Sequence, residues 1–268
     1  MAELIFTEDG AHPGLDDFRD LSTADRRPDR PGGRGLVIAE GTVVVGRLLA
    51  SRYPVRALLG VHRRVRELEG ALTDLDVPAY VTSAETMAGV VGFHLNRGVL
   101  AVADRPVPPT VGEIVDRAKV LAVLEGVGDH ENLGALFRNA AALGVDGVLL
   151  GPGCSDPLYR RSVRVSMGHV LRVPFASFDA WPDGLDVLRD RGFRVAALTP
   201  RPDSIPLRGL RDQLPGPIAL MLGAEGPGLS EEAIAAADVA VRVEMVAGVD
   251  SLNVATAAAI AFHEVAAG

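Results

Sequence analysis

Five short segments in the C-terminal half are apolar at nearly every position: Val120–Leu124 (VLAVL), Gly147–Leu150 (GVLL), Arg194–Ala197 (RVAA), Ile218–Leu222 (IALML) and Val239–Val243 (VAVRV). A strand with one wet face alternates apolar and polar residues, so continuous apolar runs of this length need cover on both faces. A sixth strand is expected at Leu171–Pro174. Helical patterns separate the runs at Leu133–Leu143, Pro157–Met167, Trp181–Arg191 and Glu231–Ala237, and an apolar helix over Leu252–Ala267 closes the chain. Strands alternating with helices predict a mainly parallel sheet covered on both sides, an α/β architecture.

The stretch Asp104–Thr110 reads DRPVPPT, and its three prolines make a stiff connection, where a domain boundary is expected. Before it lies a smaller α/β pattern. Strands are expected at Leu36–Ile38, Ala57–Val61, Pro78–Val81 and Val99–Ala103, and helices at Gly41–Ser51, Arg63–Leu72 and Ser83–Val90. Residues 1–30 are polar, charged and interrupted by Pro13 and Pro28, which predicts a flexible arm with a short helix near Asp16–Leu21. The expected organisation is an arm (1–30), a small α/β domain (31–106) and a larger α/β domain (107–268). No stretch approaches 18 apolar residues, and MAELIFTEDG has no signal-peptide pattern, so no membrane span and a cytoplasmic location are expected. The one cysteine, Cys154, cannot form an intrachain disulfide, and no metal-ligand cluster is visible, so no metal is expected.

A net charge of −8 at first disfavours a nucleic-acid partner, but its distribution does not. From Arg26 to Arg66 ten arginines face two acids, a local +8, which leaves −16 for the rest of the chain. Within this segment Arg63, Arg64 and Arg66 form a tight group, and a second group, Arg160, Arg161 and Arg164, contains no acid. Clustered cations bind phosphates whatever the total charge, so both groups are candidate RNA contacts, although any single arginine could be a solvated helix face.

Three polar clusters follow apolar strands, where open α/β sheets place ligands. The first runs from Glu125 to Asn139 and contains Asn132, at an expected helix N-cap, and Arg138 inside the helix. The second, Leu222 to Ser230, carries glycines at 223, 226 and 228, which allow unusual backbone angles and close approach of a ligand. No Gly-Lys-Ser/Thr follows it and its spacing is not GxGxxG, so neither a phosphate loop nor a dinucleotide oxidoreductase fits. The third, Ala247 to Thr256, opens the last helix. Ser251 or Asp250 could cap that helix, and Asn253 is an amide that wants a partner.

Together the segments N-x-G-x-x-x-R-N-A (Asn132–Ala140), L-G-x-E-G-x-G-L (Leu222–Leu229) and S-L-N-V-A (Ser251–Ala255) resemble the three motifs of the SpoU (TrmH-like) class of RNA ribose 2′-O-methyltransferases, in the SPOUT superfamily. The resemblance covers residues 120–268. The preceding unit resembles a small RNA-binding domain, itself like ribosomal proteins, that is often fused to this class. The combination is similar to 23S ribosomal RNA methyltransferases of the thiostrepton-resistance type.

The resemblance implies a parallel sheet with a trefoil-knotted C-terminal segment, S-adenosylmethionine as methyl donor, and a homodimer through the C-terminal domain. It implies a donor pocket of Leu198, Thr199, Leu222, Gly223, Gly228, Val243, Met245 and Leu252. Glu244 stands where this class commonly has proline, which bears on the shape of that loop. It further implies that Arg138 acts at the reacting centre, with Asn132, Glu225, Ser251 and Asn253 fixing it and the ribose. A guanidinium stays protonated at neutral pH, so Arg138 is expected to grip a phosphate and orient the hydroxyl rather than act as a base. Alternatives are a transfer-RNA methyltransferase of the same chemistry and a non-catalytic RNA-binding protein of the same fold. In the last helix Val254, Ile260, Phe262 and Val265 are either core or interface.

Overall fold

The computed structural model of the chain describes residues 2–27, 30–246, 248–249 and 251–266, and these form two units. One comprises Met1–Val107 with Asp156–Leu171, the other Pro108–Ser155 with Arg172–Gly268. Ala247 and Asp250 of the third polar cluster lie outside the described residues.

In the first unit the elements are β1 (Glu3–Phe6), α1 (Leu21–Ala24), β2 (Val37–Glu40), α2 (Thr42–Leu49), β3 (Val55–Gly60), α3 (His62–Arg66), α4 (Glu69–Leu72), β4 (Pro78–Val81), α5 (Ala84–Val91) and β5 (Val99–Ala103). The sheet order is β1-β4-β3-β5-β2, with β5 antiparallel to both its neighbours. The expectation of a flexible arm over 1–30 is corrected here. β1 pairs in parallel with β4, and a 3-10 turn at Pro13–Phe18 followed by α1 drops Leu15, Phe18 and Leu21 into the core at 0% exposure. The 3-10 turn supplies Leu15 and Phe18, the start of α1 supplies Leu21 after a break at Arg19 and Asp20, and each fully buried side chain of this size contributes roughly 1.5–3 kcal/mol. They pack with Ile38, Leu59 and Leu100.

The second unit begins with α6 (Val111–Val115), opened by a Thr110–Glu113 capping box, then β6 (Val120–Leu124), α7 (His130–Leu143) and β7 (Gly147–Leu150). The chain then gives α8 (Arg160–Val165) to the first unit. It returns with β8 (Phe175–Ser177), α9 (Asp186–Arg189), β9 (Arg194–Leu198), β10 (Ile205–Pro206), α10 (Leu210–Gln213), β11 (Ile218–Leu222), α11 (Glu231–Ala235), β12 (Val239–Arg242) and α12 (Val254–Ala266). All seven strands are parallel, in the order β10-β12-β9-β11-β6-β7-β8. The continuous apolar runs are buried on both faces. On β6, Leu121 and Val123 join Leu188, Phe193 and Ala233 on one side, while Val120, Ala122 and Leu124 are buried on the other. The strand expected at Leu171–Pro174 starts later, at Phe175. Pro174 has no N–H for the ladder, and only its carbonyl pairs, with Val148 N at 3.0 Å.

Residues 156–171, inside the stretch 107–268 expected as one domain, pack with the first unit. Arg160 explains the attachment. Its guanidinium lies 4.5 Å over the Phe93 ring and pairs with Glu40 at 3.5 Å and Asp25 at 3.9 Å, and its amide donates to Asp25 Oδ2 at 3.1 Å. Arg105 pairs with Asp156 at 2.6 Å, and Arg47 donates to the Met167 carbonyl. Asp25 is fully buried, and burial pushes its carboxyl up to about 6 against the opposing pull of Arg160 and Arg105.

Candidate active site

In the second unit the chain runs outward from β6 through β7 to β8, then crosses to β9, so the loops that follow β9, β11 and β12 share one edge of the sheet. At that edge the structure has a cavity of about 380 Å³, within the roughly 300–1,000 Å³ of small-molecule sites. One wall is Leu198, Thr199 and Pro200, following β9. A second is Leu222 through Gly226 with Gly228, following β11. The third is Val243 and Met245, following β12, with Ser251 through Val254 and Ala257 at the start of α12. All eight residues expected to hold a methyl donor, Leu198, Thr199, Leu222, Gly223, Gly228, Val243, Met245 and Leu252, line this one cavity.

The second wall depends on a backbone contact. A Cβ on Gly223 would lie 2.1 Å from the Gly228 carbonyl carbon and 2.2 Å from Leu229 N, so only hydrogen fits there. Gly228 N donates to the Ala224 carbonyl at 3.0 Å, and Gly226 and Gly228 take φ of +86° and +73°. The loop therefore folds back on its own first residue, and glycine is needed at both ends of the fold.

The three polar clusters meet at Asn253. Its Nδ2 donates to Asn132 Oδ1 at 2.8 Å and to Glu225 Oε1 at 2.6 Å. Its Oδ1 accepts from the amides of Ala255 and Thr256 at 3.0 and 3.2 Å, which caps α12. The amide group is thus saturated, and its orientation is set by the helix N-terminus. Two N-cap expectations change accordingly. Asn253, not Ser251, supplies the side-chain cap of α12. Asn132 is not a cap, because α7 begins earlier: Asp129 Oδ1 accepts from Glu131 N and Asn132 N, both at 2.9 Å. Asn132 is therefore in the first helical turn with its side chain turned to Asn253. Two turns of α7 further on, Asn139 Nδ2 donates to the Ala255 carbonyl at 2.8 Å and holds the two helices together.

Arg138 is exposed on α7, makes no hydrogen bond or ion pair among the described residues, and is not part of the cavity wall. Ser251 is in the wall. Thus Asn132, Glu225 and Asn253 are joined directly, Ser251 borders the same space, and Arg138 remains free for a ligand of opposite charge. Pro200, Ala224, Gly226 and Ala257 were not among the sequence candidates and also line the cavity. Their signal was adjacency alone. No group of three or more His, Cys, Asp or Glu suited to a metal occurs among the described residues.

The basic groups of the first unit divide. Arg66 is exposed without a charged partner among the described residues, whereas Arg63 and Arg64 both pair with Glu67, at 3.5 and 2.9 Å. Arg161 is exposed and Arg164 half-buried. Arg160 does not fit an RNA contact, because it is committed to Phe93, Glu40 and Asp25. On α12, Val254, Phe262 and Val265 are core, and Ile260 is 41% exposed.

Comparison with known proteins bears on both units. The sequence model of the SpoU rRNA Methylase family matches residues 119–263. An uncharacterized tRNA/rRNA methyltransferase of Mycobacterium tuberculosis is 56% identical over 253 residues, 94% of this chain and 88% of that protein. The AdoMet-bound rRNA methyltransferase of Sinorhizobium meliloti superimposes with a TM-score of 0.80 at 23% identity, over 97% of each chain. The AdoMet complex of the SpoU methyltransferase AviRb from Streptomyces viridochromogenes gives 0.76 at 20% identity, over 94% of this chain and 97% of that one.

Proposed function

Because this chain belongs to the SpoU rRNA methylase family, we propose that it methylates the 2′-hydroxyl of a ribose in structured RNA, with S-adenosylmethionine as methyl donor. The coarser statement, an RNA methyltransferase, follows from membership. The finer one rests on a single observation: Asn132, Glu225 and Asn253, from three distant segments, are hydrogen-bonded together beside a cavity of the right size for an adenosyl group.

The residues present suit that ligand. Leu198, Leu222, Val243, Met245 and Leu252 offer apolar surface to a purine, and the folded glycine loop brings backbone groups close. Bound there, S-adenosylmethionine supplies a methyl carbon that forms a bond to the 2′-oxygen as its bond to sulfur breaks and the hydroxyl proton passes to water. The chain's own part is positioning. Arg138 grips the neighbouring phosphate and sets the ribose in line. Asn253, held by the α12 N-terminus, fixes Asn132 and Glu225, and Ser251 borders the reacting space. Alignment of this kind can remove several kcal/mol of barrier without any base in the protein.

In this reading the substrate is 23S ribosomal RNA, in keeping with the family description and with an arginine-rich first unit, in which Arg66 is exposed without a charged partner among the described residues. The relative from M. tuberculosis is described as acting on tRNA or rRNA, so transfer RNA is the second reading. The reading includes a knotted C-terminal segment, supported by the late strand β11 lying between β9 and β6. It includes a homodimer through the second unit, for which exposed Ile260 offers apolar surface. Mapping 2′-O-methyl groups in cellular RNA with and without the gene tests it. One ribosomal site that disappears is expected, and a lost transfer-RNA site with intact ribosomal RNA transfers the reading to the alternative.

A further inference from the structure

Glu125 opened the first polar cluster in the sequence, and none of the chemistry above uses it. It directly follows β6, extends the β6–β11 ladder by donating its amide to the Leu222 carbonyl at 2.9 Å, and is 8% exposed. A buried carboxylate with no ion pair among the described residues needs hydrogen-bond donors. Glu125 has three. Oε1 accepts from Trp181 Nε1 and from Ser230 Oγ, both at 2.7 Å, and Oε2 accepts from Ser230 N at 2.8 Å. Ser230 also caps α11, its Oγ accepting from Ala233 N at 3.2 Å.

Ser230 is the residue at which the cavity's glycine loop ends. That loop is fixed at its start by the contact of Gly223 with Gly228 and Leu229, and at its finish by Glu125. Between these points Gly226 and Gly228 leave the backbone little stiffness of its own. We propose that Glu125 is a positioning residue for the methyl-donor pocket: its carboxylate, oriented by Trp181, clamps Ser230 and holds the 223–230 loop in the donor-binding shape. The proposal rests on the donor-pocket reading for its effect on affinity, but not for its effect on the loop.

Trp181 is the only tryptophan in the chain, so its emission reports this network alone. Glu125→Gln is the informative substitution. The side chain keeps its volume but has one acceptor end, so whichever way it turns, at least one of the three donors faces an NH2 group. A loop that is in place only about one-tenth of the time raises the apparent Kd about tenfold.

The experiment titrates the full chain with S-adenosylhomocysteine, reading Trp181 emission and calorimetric heat, and follows hydrogen exchange of residues 223–230 without ligand. Wild type is expected to change emission on binding. Glu125→Gln is expected to have a shifted ligand-free emission, faster exchange at 223–230 and a Kd at least about tenfold higher. With RNA, the KM for the methyl donor rises while kcat at saturating donor stays near wild type, a split that general destabilisation would not give. Glu125→Gln with unchanged exchange at 223–230, or with faster exchange but wild-type Kd, overturns the proposal. Failure of the wild type to bind the ligand refutes the donor-pocket reading instead, and loop exchange then still decides whether Glu125 clamps the loop.

Discussion

Replacing Gly223 with alanine adds one methyl group at the point where the donor-pocket loop closes on itself. The added carbon would lie 2.1, 2.2 and 2.4 Å from Gly228 C, Leu229 N and Gly228 O, whereas real Cβ contacts essentially never fall under 3.0 Å. All three obstacles are backbone, so no rotamer relieves them, and the 228–229 segment must move by about an ångström. Overpacking of this kind costs about 1–3 kcal/mol. The cost falls on the loop shape that contacts the ligand, so it appears mainly as lost affinity: a Kd about ten- to a hundredfold higher, since 1.4 kcal/mol is tenfold. Calorimetry with S-adenosylhomocysteine measures it. Gly70→Ala is the control, because Gly70 lies in α4 of the first unit with nothing within 4 Å of an added Cβ. Wild-type affinity in Gly223→Ala would refute the claim that this backbone contact shapes the pocket.

Arg138→Ala is expected to lower methyl transfer at least about a hundredfold by freeing the substrate's alignment, while the melting temperature stays put because Arg138 has no partner among the described residues; labelled-methyl assays and calorimetric scans check both. Asn253→Asp keeps the oxygen that caps α12 but can no longer donate to Asn132 or Glu225, so transfer falls with the cap retained, whereas Asn253→Ala additionally loses about 1 kcal/mol of stability, measurable by denaturant unfolding. Asp25 has its carboxyl raised to about 6 by burial. The stability this group contributes is fully present below its unfolded pKa near 3.9 and is lost as pH rises through about 6, a change of about 3 kcal/mol. Relative to an Asp25→Asn variant, wild type should therefore lose stability between pH 4 and 7, and parallel pH curves would contradict the burial argument. Arg66→Ala should reduce the slope of log affinity for RNA against log salt by about one, whereas Arg160→Ala should destabilise the first unit.

The site was legible because its residues break a simple pattern. Asn132, Glu225 and Asn253 are polar interruptions directly after or before apolar segments, and their spacing matched a known set of motifs. Their hydrogen bonds were not legible. Asn132 looked like a cap because caps are judged from neighbours, and Asp129, three residues earlier, takes that role. Glu125 gave one signal, an acid at the end of an all-apolar strand, but its partners Trp181 and Ser230 are 56 and 105 residues away. Distance in sequence also hid the fate of Arg160. Read locally it belongs to a basic patch, and only folding places it between Asp25, Glu40 and Phe93. The burial of the N-terminal segment is hidden in the sequence for a related reason: charged residues around Leu15, Phe18 and Leu21 outnumber the three that decide it.

The proposed function has three loops of the second unit presenting a methyl donor to a ribose hydroxyl. Incubating the protein with ribosomal RNA and methyl-labelled S-adenosylmethionine, digesting to nucleosides and locating the label by mass spectrometry tests it most directly. The label is expected on the sugar fragment, at the 2′-oxygen. Label retained on the base, or RNA left unlabelled by protein that binds S-adenosylmethionine, would contradict it.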